Sequence, residues 1–272
     1  MSYIDEIKKW QKQKEDSLRK ENRWFTVSGL IWLKSGDNFF GADENNPLPL
    51  AGKGIAAQVG SFFLEGENVT LKTLHARGLT LNGEPAPTTA DIHPDVSGAP
   101  DQISIAKYNL KIIQRGERIG IRVYDNNNPA YKNFEKLNWF PIDETYKVNA
   151  KFIAYETPRE ISITNILGDT NRVANPGYVE FELNGKFCRL EAEGDNPKEE
   201  LFFNFKDATN GESTYGAGRF LDTDGVQRGK VTIDFNKCYN PPCVYTDYAT
   251  CPLPPKGNAL NIKVEAGEMN YK

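Results

Sequence analysis

The spacing of apolar residues changes near residue 23, from a helical period to a period of two. Residues 2–22 place apolar side chains three and four positions apart, which predicts one amphipathic helix. Ser2 and Asp5 form a pair that is typical of a helix start. Lys, Gln and Glu occupy the other face, so we expect the helix to pack on a larger body along one narrow side. That side comprises Ile4, Ile7, Trp10, Lys14 and Leu18.

Beyond residue 23, short runs rich in Val, Ile, Phe and Tyr alternate with Gly, Asn, Asp and Pro, which predicts strands and turns. Hairpins are predicted over 111–124 around Gly116-Glu117 and over 178–190 around Asn184-Gly185. No helix-length amphipathic segment separates the strands, so the sheets should be antiparallel. The pattern predicts a mostly β protein of antiparallel β-sandwich or β-barrel units with one N-terminal helix. Further strands are predicted at 201–205, 231–235 and 260–264.

The polar run 125–129 ends in a proline and marks a boundary between two β units. It predicts an N-terminal helix over residues 1–23, a β-sandwich over 24–128 and a second β domain over 129–272. Both β parts have ordinary domain sizes. The alternative is a single large sandwich or barrel with a long loop at this position.

Charge and composition exclude several classes of binding partner. The 272 residues include 33 Lys and Arg and 37 Asp and Glu, which gives a formal net charge of −4. This charge excludes nonspecific electrostatic binding of nucleic acid. No apolar run approaches the roughly 20 residues that cross a bilayer, so no membrane span is predicted. The two histidines, His75 and His93, are too few for a mechanism that needs several imidazoles. No cofactor and no metal site are predicted.

The start of the chain and its cysteines bear on the compartment. The chain opens with Met-Ser-Tyr-Ile-Asp-Glu, which contains no apolar signal core and predicts a cytoplasmic protein. Removal of a signal peptide would leave the same start, so a periplasmic or secreted protein is the alternative. Four cysteines are present: Cys188, Cys238, Cys243 and Cys251.

The spacing of these cysteines is longer and less regular than in zinc knuckles, so a metal site is disfavoured. Cys243 and Cys251 lie in a Pro-rich segment, and we expect them to be close together. They form either a disulfide, which an oxidising compartment would favour, or buried thiols. Cys188 lies in a predicted strand and is expected to be a thiol.

Residues 30–125 resemble a forkhead-associated domain. The resemblance rests on the run 33–50 and on the turn Thr80-Leu81-Asn82-Gly83, between predicted strands. Members of that family bind phosphothreonine through a Gly-Arg pair and a later Ser-x-x-His motif. Here Ala42 stands in the Arg place, and Ala56-Ala57-Gln58-Val59 replaces the Ser-His stretch. The resemblance therefore implies a β-sandwich, and the loss of the phosphate donors argues against phosphopeptide binding.

The densest run of unusual motifs is C-terminal. Together with residues 24–33 and the hairpin 115–125, these motifs resemble a bacterial and archaeal family of uncharacterised proteins, the domain of unknown function 1684. Cys238 departs from the family, where a small or aliphatic residue is usual. The resemblance implies kinship over nearly the whole chain and no established activity, substrate or catalytic residue. The motifs occupy residues 206–211, 213–221, 234–236, 239–243, 250–255, 258 and 266–268.

Arg219 is the strongest candidate for a binding residue in these motifs. It follows Gly216-Ala217-Gly218, where small residues let another group approach closely. Apolar residues alternate over 231–235, so Asp234 and Asn236 share the opposite face. A pair between Arg219 and Asp207 or Asp234 would form a charge-assisted cluster beside the Pro-stiffened loop 239–243. The candidate ligand-binding residues are Arg219, Asp207, Asp234, Asn236, Tyr239 and, on the polar side of its strand, Arg122.

We expect Arg219 at the floor of a concave, water-accessible site for an anionic or hydroxyl-rich ligand. Polar side chains such as Asn204 and Asp234 cannot enter an apolar core unpaired. The alternative is that Arg219 belongs to a buried structural ion pair.

Three functions are consistent with these residues. The first is a non-catalytic module that binds a small molecule, a glycan or a protein segment. The second is a carboxylate-based hydrolase of the glycosidase kind, with Asp207 and Asp234 as acid and base and Glu268 as a third candidate. The third is a structural or assembly module. Carboxylates that share an open cleft would favour the hydrolase, and buried, paired carboxylates would favour binding or structure.

Overall fold

The computed structural model describes residues 1–271, apart from the side chain of residue 158. The chain forms two compact units. The central unit is Leu18–Phe134, and the terminal unit combines Met1–Ser17 with Glu135–Lys272. The chain therefore passes from one unit to the other at residues 17/18 and 134/135, near the divisions at 23/24 and 128/129 drawn from the sequence. The N-terminal helix is grouped with the C-terminal half of the chain.

Most of the regular structure is strand, with 44% of residues in strands and 13% helical, which confirms the predicted mostly β fold. The central unit contains one short helix, α2 (Pro129–Lys132), and 3-10 turns at Trp24–Thr26 and Asp95–Ser97. Its strands are β1 (Val27–Trp32), β2 (Gly36–Gly41), β3 (Leu48–Pro49), β4 (Gly60–Glu65), β5 (Asn68–Thr73), β6 (Leu79–Leu81), β7 (Glu84–Pro85), β8 (Thr89–Ile92), β9 (Ile103–Ile105), β10 (Tyr108–Arg115) and β11 (Arg118–Asp125).

Two sheets share the core of the central unit. One has the strand order β1-β11-β10-β9-β6-β7 and the other β3-β2-β4-β5-β8. The core takes Phe40 and Phe62 from the second sheet and Ile112 and Ile121 from the first, so apolar faces of both sheets pack on each other. This is a sandwich arrangement.

The terminal unit holds the long helix and six strands. They are α1 (Tyr3–Leu18), β12 (Lys147–Thr164), β13 (Thr170–Leu183), β14 (Lys186–Glu191), β15 (Glu200–Phe205), β16 (Arg219–Asp224) and β17 (Lys230–Asp234), with 3-10 turns at Glu144–Tyr146, Phe235–Lys237 and Pro242–Val244. One sheet has the order β14-β13-β12-β17, and β15 pairs with β16. Phe203, Phe205 and Phe235 lie in the core between them, together with Cys238.

Both predicted hairpins are confirmed. β10 and β11 pair in an antiparallel register that closes at Arg115 and Arg118, and β13 and β14 close at Leu183 and Lys186. Asn184 and Gly185 both take positive φ values, 53° and 70°, as the tight turn requires.

The helix is shorter than predicted. It begins at the expected pair, where Ser2 Oγ accepts a hydrogen bond from the Asp5 N–H at 3.2 Å. It ends at Leu18 instead of residue 22, and Asn22 takes a left-handed conformation (φ 58°) that a right-handed helix cannot include. Ile4 is exposed, so the apolar side begins at Ile7.

One prediction about strands is wrong, and the prediction of antiparallel sheets is confirmed with one local exception. Residues 260–264 form no strand, because their backbone groups bond to the loop Lys206 to Ala208 and to polar side chains instead of a neighbouring strand. β2 and β3 pair in parallel over two residues, an exception to the antiparallel sheets. Within residues 1–271, no helix is long and apolar enough to cross a membrane.

Candidate binding site

Arg219 lies at the start of β16 and is fully buried. Its Nη2 lies 2.7 Å from Asp207 Oδ2 and donates to the Val264 carbonyl at 2.8 Å, while Nη1 donates to the Ala266 carbonyl. The close approach expected beside the small residues does occur. A Cβ added at Gly218 would lie 2.7 Å from a Pro254 side-chain carbon, so glycine is required there.

The expectation of a water-accessible floor at Arg219 is therefore wrong. Nη1 and Nη2 of Arg219 donate inside the protein, and its carboxylate partner accepts two further hydrogen bonds from Thr209, at 2.8 Å to the N–H and 2.6 Å to the hydroxyl. The physical reason is that the extended chain around residues 264–266 closes over the pair and supplies the carbonyl acceptors. Arg219 and Asp207 form a structural ion pair that ties this segment to β16.

Asp234 and Asn236 share one hydrogen-bond cluster, as their spacing predicts, but it is buried. Asp234 Oδ1 accepts from the Tyr3 hydroxyl at 2.9 Å and from the Asn236 N–H at 3.1 Å. Asn236 Nδ2 donates to the Asp143 carbonyl at 2.8 Å. Burial and the neighbouring Asp234 carboxylate raise the pKa of Tyr3. The cluster anchors the start of α1, and neither Asp207 nor Asp234 faces an open cleft, so the predicted acid–base pair is wrong.

Tyr239 contacts the helix. Its hydroxyl donates to Asp222 Oδ2 at 2.8 Å, and the Lys14 Nζ lies 3.3 Å from the centre of its ring. Burial lowers the pKa of Lys14. Lys14 thus belongs to the packed side of α1, as its position in the predicted stripe implies.

Arg122 belongs to the central unit, whereas the other candidate residues belong to the terminal unit. It lies on β11 of the central unit, buried, with its guanidinium 4.9 Å from the centre of the Trp24 ring.

Glu268 is the centre of a buried network. Its two carboxylate oxygens accept hydrogen bonds from the Asn240 N–H at 2.9 Å, from Asn240 Nδ2 at 2.9 Å and from the Tyr245 hydroxyl at 2.7 Å. Burial raises the pKa of Glu268, and these donors oppose the rise. The carboxylate is inaccessible to solvent and serves as an acceptor that fixes the Pro-rich loop.

An open groove of about 710 Å³ lies next to this network in the terminal unit. It combines an indole ring, two carboxylates, an ammonium group, a hydroxyl and two amides. The lining residues are Glu15, Lys136, Leu137, Asn138, Trp139, Glu212, Ser213, Met269 and Asn270.

One wall of the groove is positioned by Glu15 of α1. Glu15 Oε1 accepts hydrogen bonds from the Leu137 N–H at 3.1 Å and from Trp139 Nε1 at 3.3 Å. The Trp139 ring meets the Trp10 ring edge to face, with centroids 5.7 Å apart. The backbone of Trp139 pairs with that of Glu268, so the buried network supports this wall.

The other wall is held by Asn270. Its N–H donates to the Ser213 carbonyl at 2.9 Å, its Nδ2 to the Glu212 carbonyl at 3.0 Å, and its own carbonyl accepts from Asn138 Nδ2 at 3.0 Å. Three segments far apart in sequence are thereby joined into one preorganised surface. The groove was not predicted from the sequence. The one indication of it was that Ser213 begins one C-terminal motif and Asn270 follows another.

Cys243 and Cys251 lie together, as expected. The Cys243 N–H donates to Cys251 Sγ at 3.1 Å, and both residues are thiols with no disulfide between them. Cys188 is a buried thiol, and burial raises its pKa. A disulfide under oxidising conditions stays a prediction.

Comparisons with known proteins identify relatives without a known activity. Residues 132–269 match the family described as "Protein of unknown function (DUF1684)". A similar solved structure is the solution NMR structure of an uncharacterised protein of Haloarcula marismortui, with 33% sequence identity, coverage of 51% of this chain and 78% of that chain, and a TM-score of 0.43. No curated protein matches. The resemblance to a forkhead-associated domain gains no support and stays a prediction. The chain belongs to the DUF1684 family of proteins of unknown function.

Proposed function

We propose that the terminal unit is a binding module for a small, neutral, hydroxyl-rich molecule of the sugar or polyol class, which occupies the groove beside Trp139. The observation that carries the proposal is the composition of the lining, where one indole ring stands among carboxylate, amide and hydroxyl groups. The volume of about 710 Å³ lies within the range of small-molecule sites.

The chemistry of the lining suits such a ligand. Sugar hydroxyls both donate and accept, so they can pair with the carboxylates of Glu15 and Glu212, the Ser213 hydroxyl and the side-chain amides. The half-buried Trp139 ring offers an apolar surface for C–H groups. The hydrogen bonds that join the walls before binding lower the entropic cost of ordering them.

Charge favours a neutral ligand over an anion. Glu15, Glu212 and Lys136 line the groove, and Glu212 is paired with Lys263 Nζ at 2.7 Å, so the lining carries no excess of positive charge for an anion. An anionic ligand would need a cationic partner such as Arg219, and that side chain is engaged inside the protein.

A carboxylate hydrolase is the second candidate, because Glu15 and Glu212 line the same open groove. Two carboxylates in one cleft are the minimum for acid and base roles in glycoside cleavage. Release of nitrophenol from aryl glycosides by the wild type, and its loss in both Glu15→Gln and Glu212→Gln, would establish the hydrolase.

Nuclear magnetic resonance of the indole N–H groups tests the binding proposal. The chain has four tryptophans, and Trp139→Phe assigns the Trp139 signal in a ¹⁵N-labelled protein. Glucose, galactose, N-acetylglucosamine, inositol and glycerol are added in turn, up to about 10 mM, a range that covers millimolar dissociation constants. We expect at least one to shift the Trp139 signal saturably.

Trp32 of the central unit provides the internal control, because its signal should stay in place. Ser213→Ala should weaken the binding, while Ser28→Ala in the central unit should leave it unchanged. If no sugar or polyol in this series moves the Trp139 signal, the proposed function is wrong.

A further inference from the structure

Among the buried side-chain oxygen atoms of the terminal unit that lack hydrogen-bond donors, three lie on β13, on β15 and just after β14. They are Oδ1 of Asn175, Oε1 of Glu193 and Oδ1 of Asn204, and none has a partner among the described residues. The residues are 0%, 8% and 1% exposed, so bulk water does not solvate these atoms. Unpaired buried acceptors are rare because each carries a desolvation cost.

Rotation of the Asn175 or Asn204 side-chain amide by half a turn would not supply the missing hydrogen-bond donor. Asn175 Nδ2 donates to Glu191 Oε2 at 3.1 Å, and Asn204 Nδ2 donates to the Pro252 carbonyl at 3.1 Å. A rotated amide would place oxygen against oxygen at either position. The contacts therefore assign the orientation in which both Oδ1 atoms stay unpaired.

Glu193 and Asn204 lie on the same face of neighbouring chain segments. Glu193 and Phe202 exchange both backbone hydrogen bonds, each at 2.9 Å, so they stand directly opposite. Asn204 is two residues further along β15 and points to the same side, at a diagonal Cα separation of about 7–8 Å from Glu193. Phe203, which lies between Phe202 and Asn204, points to the opposite side, into the core.

A bulge in β13 brings Asn175 to the same face. The Ala192 N–H donates to the Gly177 carbonyl and the Gly194 N–H to the Ala174 carbonyl, so one extra residue of β13 is accommodated here. The Asn175 amide reaches Glu191, whose side chain leaves the chain on the same side as that of Glu193. The three unpaired oxygens thus belong to one patch formed by β13, β15 and the segment after β14.

We infer that Asn175, Glu193 and Asn204 form a binding site for a hard metal cation held by oxygen atoms. The site contains acceptors only, and a cation of the calcium, magnesium or alkali class is the ligand that such oxygens prefer. One carboxylate and two amide carbonyls supply a single negative charge. Cation binding displaces the proton from the Glu193 carboxyl group and releases it to solvent.

The neighbouring charged groups are already paired with each other. Arg189 Nη2 lies 2.6 Å from Glu191 Oε1, and the Tyr155 hydroxyl of β12 donates to Glu191 Oε2 at 2.8 Å. Glu193 is left without a cationic partner, and burial raises its pKa to about 7. The alternative to a cation is therefore a protonated Glu193 carboxyl group.

Thermal unfolding after removal of metal ions separates these alternatives. The full chain is treated with EDTA, transferred to tetramethylammonium buffer, and melted with CaCl₂, MgCl₂, NaCl or KCl at matched ionic strength. We expect a saturable rise in Tm with at least one cation at pH 8. The rise should be smaller at pH 6, because protons compete for Glu193. The salt that raises the Tm identifies the cation.

Glu193→Gln should abolish this rise, and Glu193→Asp, which keeps the charge, should retain part of it. Glu182→Gln, an exposed position on β13, is the matched control and should respond as the wild type does. Failure of all four cations to raise the Tm of the wild type, or an equal rise in Glu193→Gln, would overturn the inference. Neither outcome bears on the groove, because sugar binding at Trp139 is measured separately.

Discussion

The guanidinium group of Arg219 and the carboxylate of Asp207 lie 2.7 Å apart, and both side chains are inaccessible to solvent. The pair also engages the chain near its C-terminus, since Arg219 donates to two carbonyls and Asp207 Oδ1 accepts from the Val264 N–H at 3.2 Å. The sequence suggests a binding role for Arg219. The structure instead shows that Arg219 joins β16 to a segment without regular structure.

We expect Arg219→Ala to lower the free energy of unfolding by roughly 3–5 kcal/mol, because it leaves a buried carboxylate without its counter-charge. Urea denaturation measures the loss. Lys12→Ala is the control, since the Lys12–Asp16 pair is exposed and should contribute about 1 kcal/mol or less. A loss for Arg219→Ala no larger than that of the control would show that the pair is not structural.

Glu193 should make stability depend on pH in buffer without metal cations. Burial raises its pKa from 4.5 to about 7, so between these values the folded protein binds more protons than the unfolded chain. The free energy of unfolding should therefore fall as the pH rises through this window, by about 3 kcal/mol in total, and then level off.

Denaturation of the wild type and of Glu193→Gln at intervals from pH 4.5 to 8 measures this contribution. The difference between the two proteins should grow in favour of the variant as the pH rises. A constant difference across the window would contradict the assigned pKa.

Glu268→Gln should destabilise the terminal unit by about 1–3 kcal/mol. Whichever way the new amide turns, its NH₂ group faces a donor of Asn240, either the backbone N–H or Nδ2. Thermal or urea unfolding tests this, and Glu265→Gln, at an exposed neighbouring position, should have little effect. Equal stabilities of the two variants would argue against the network.

Cys243 and Cys251 should form a disulfide on mild oxidation, because a backbone N–H of one already contacts the sulfur of the other. Thiol counting in denaturant should fall from four to two, and the bond should add roughly 2–4 kcal/mol of stability. Cys243→Ser should block the change, whereas Cys188→Ser should not. Four thiols after oxidation would refute the pairing.

Local sequence patterns correctly predicted the elements that depend on neighbouring residues. The Asn184-Gly185 turn, the hairpin around Gly116 and the Ser2–Asp5 helix start all follow from local backbone geometry, and all were found. Alternation of apolar residues also placed Asp234 and Asn236 on one face. Such features involve residues a few positions apart, so they can be predicted from the sequence.

Which side chains are buried and which distant segments meet depends on the path of the folded chain. The sequence around Arg219 does not show whether residues 264–266 cover its side chain or leave it exposed to solvent; in the structure they cover it. The groove depends on contacts such as Glu15 to Leu137, across 122 positions, and Asn270 to Glu212. Side-chain hydrogen bonds between remote segments leave no periodic pattern, because they depend on the path of the whole chain rather than on local preference.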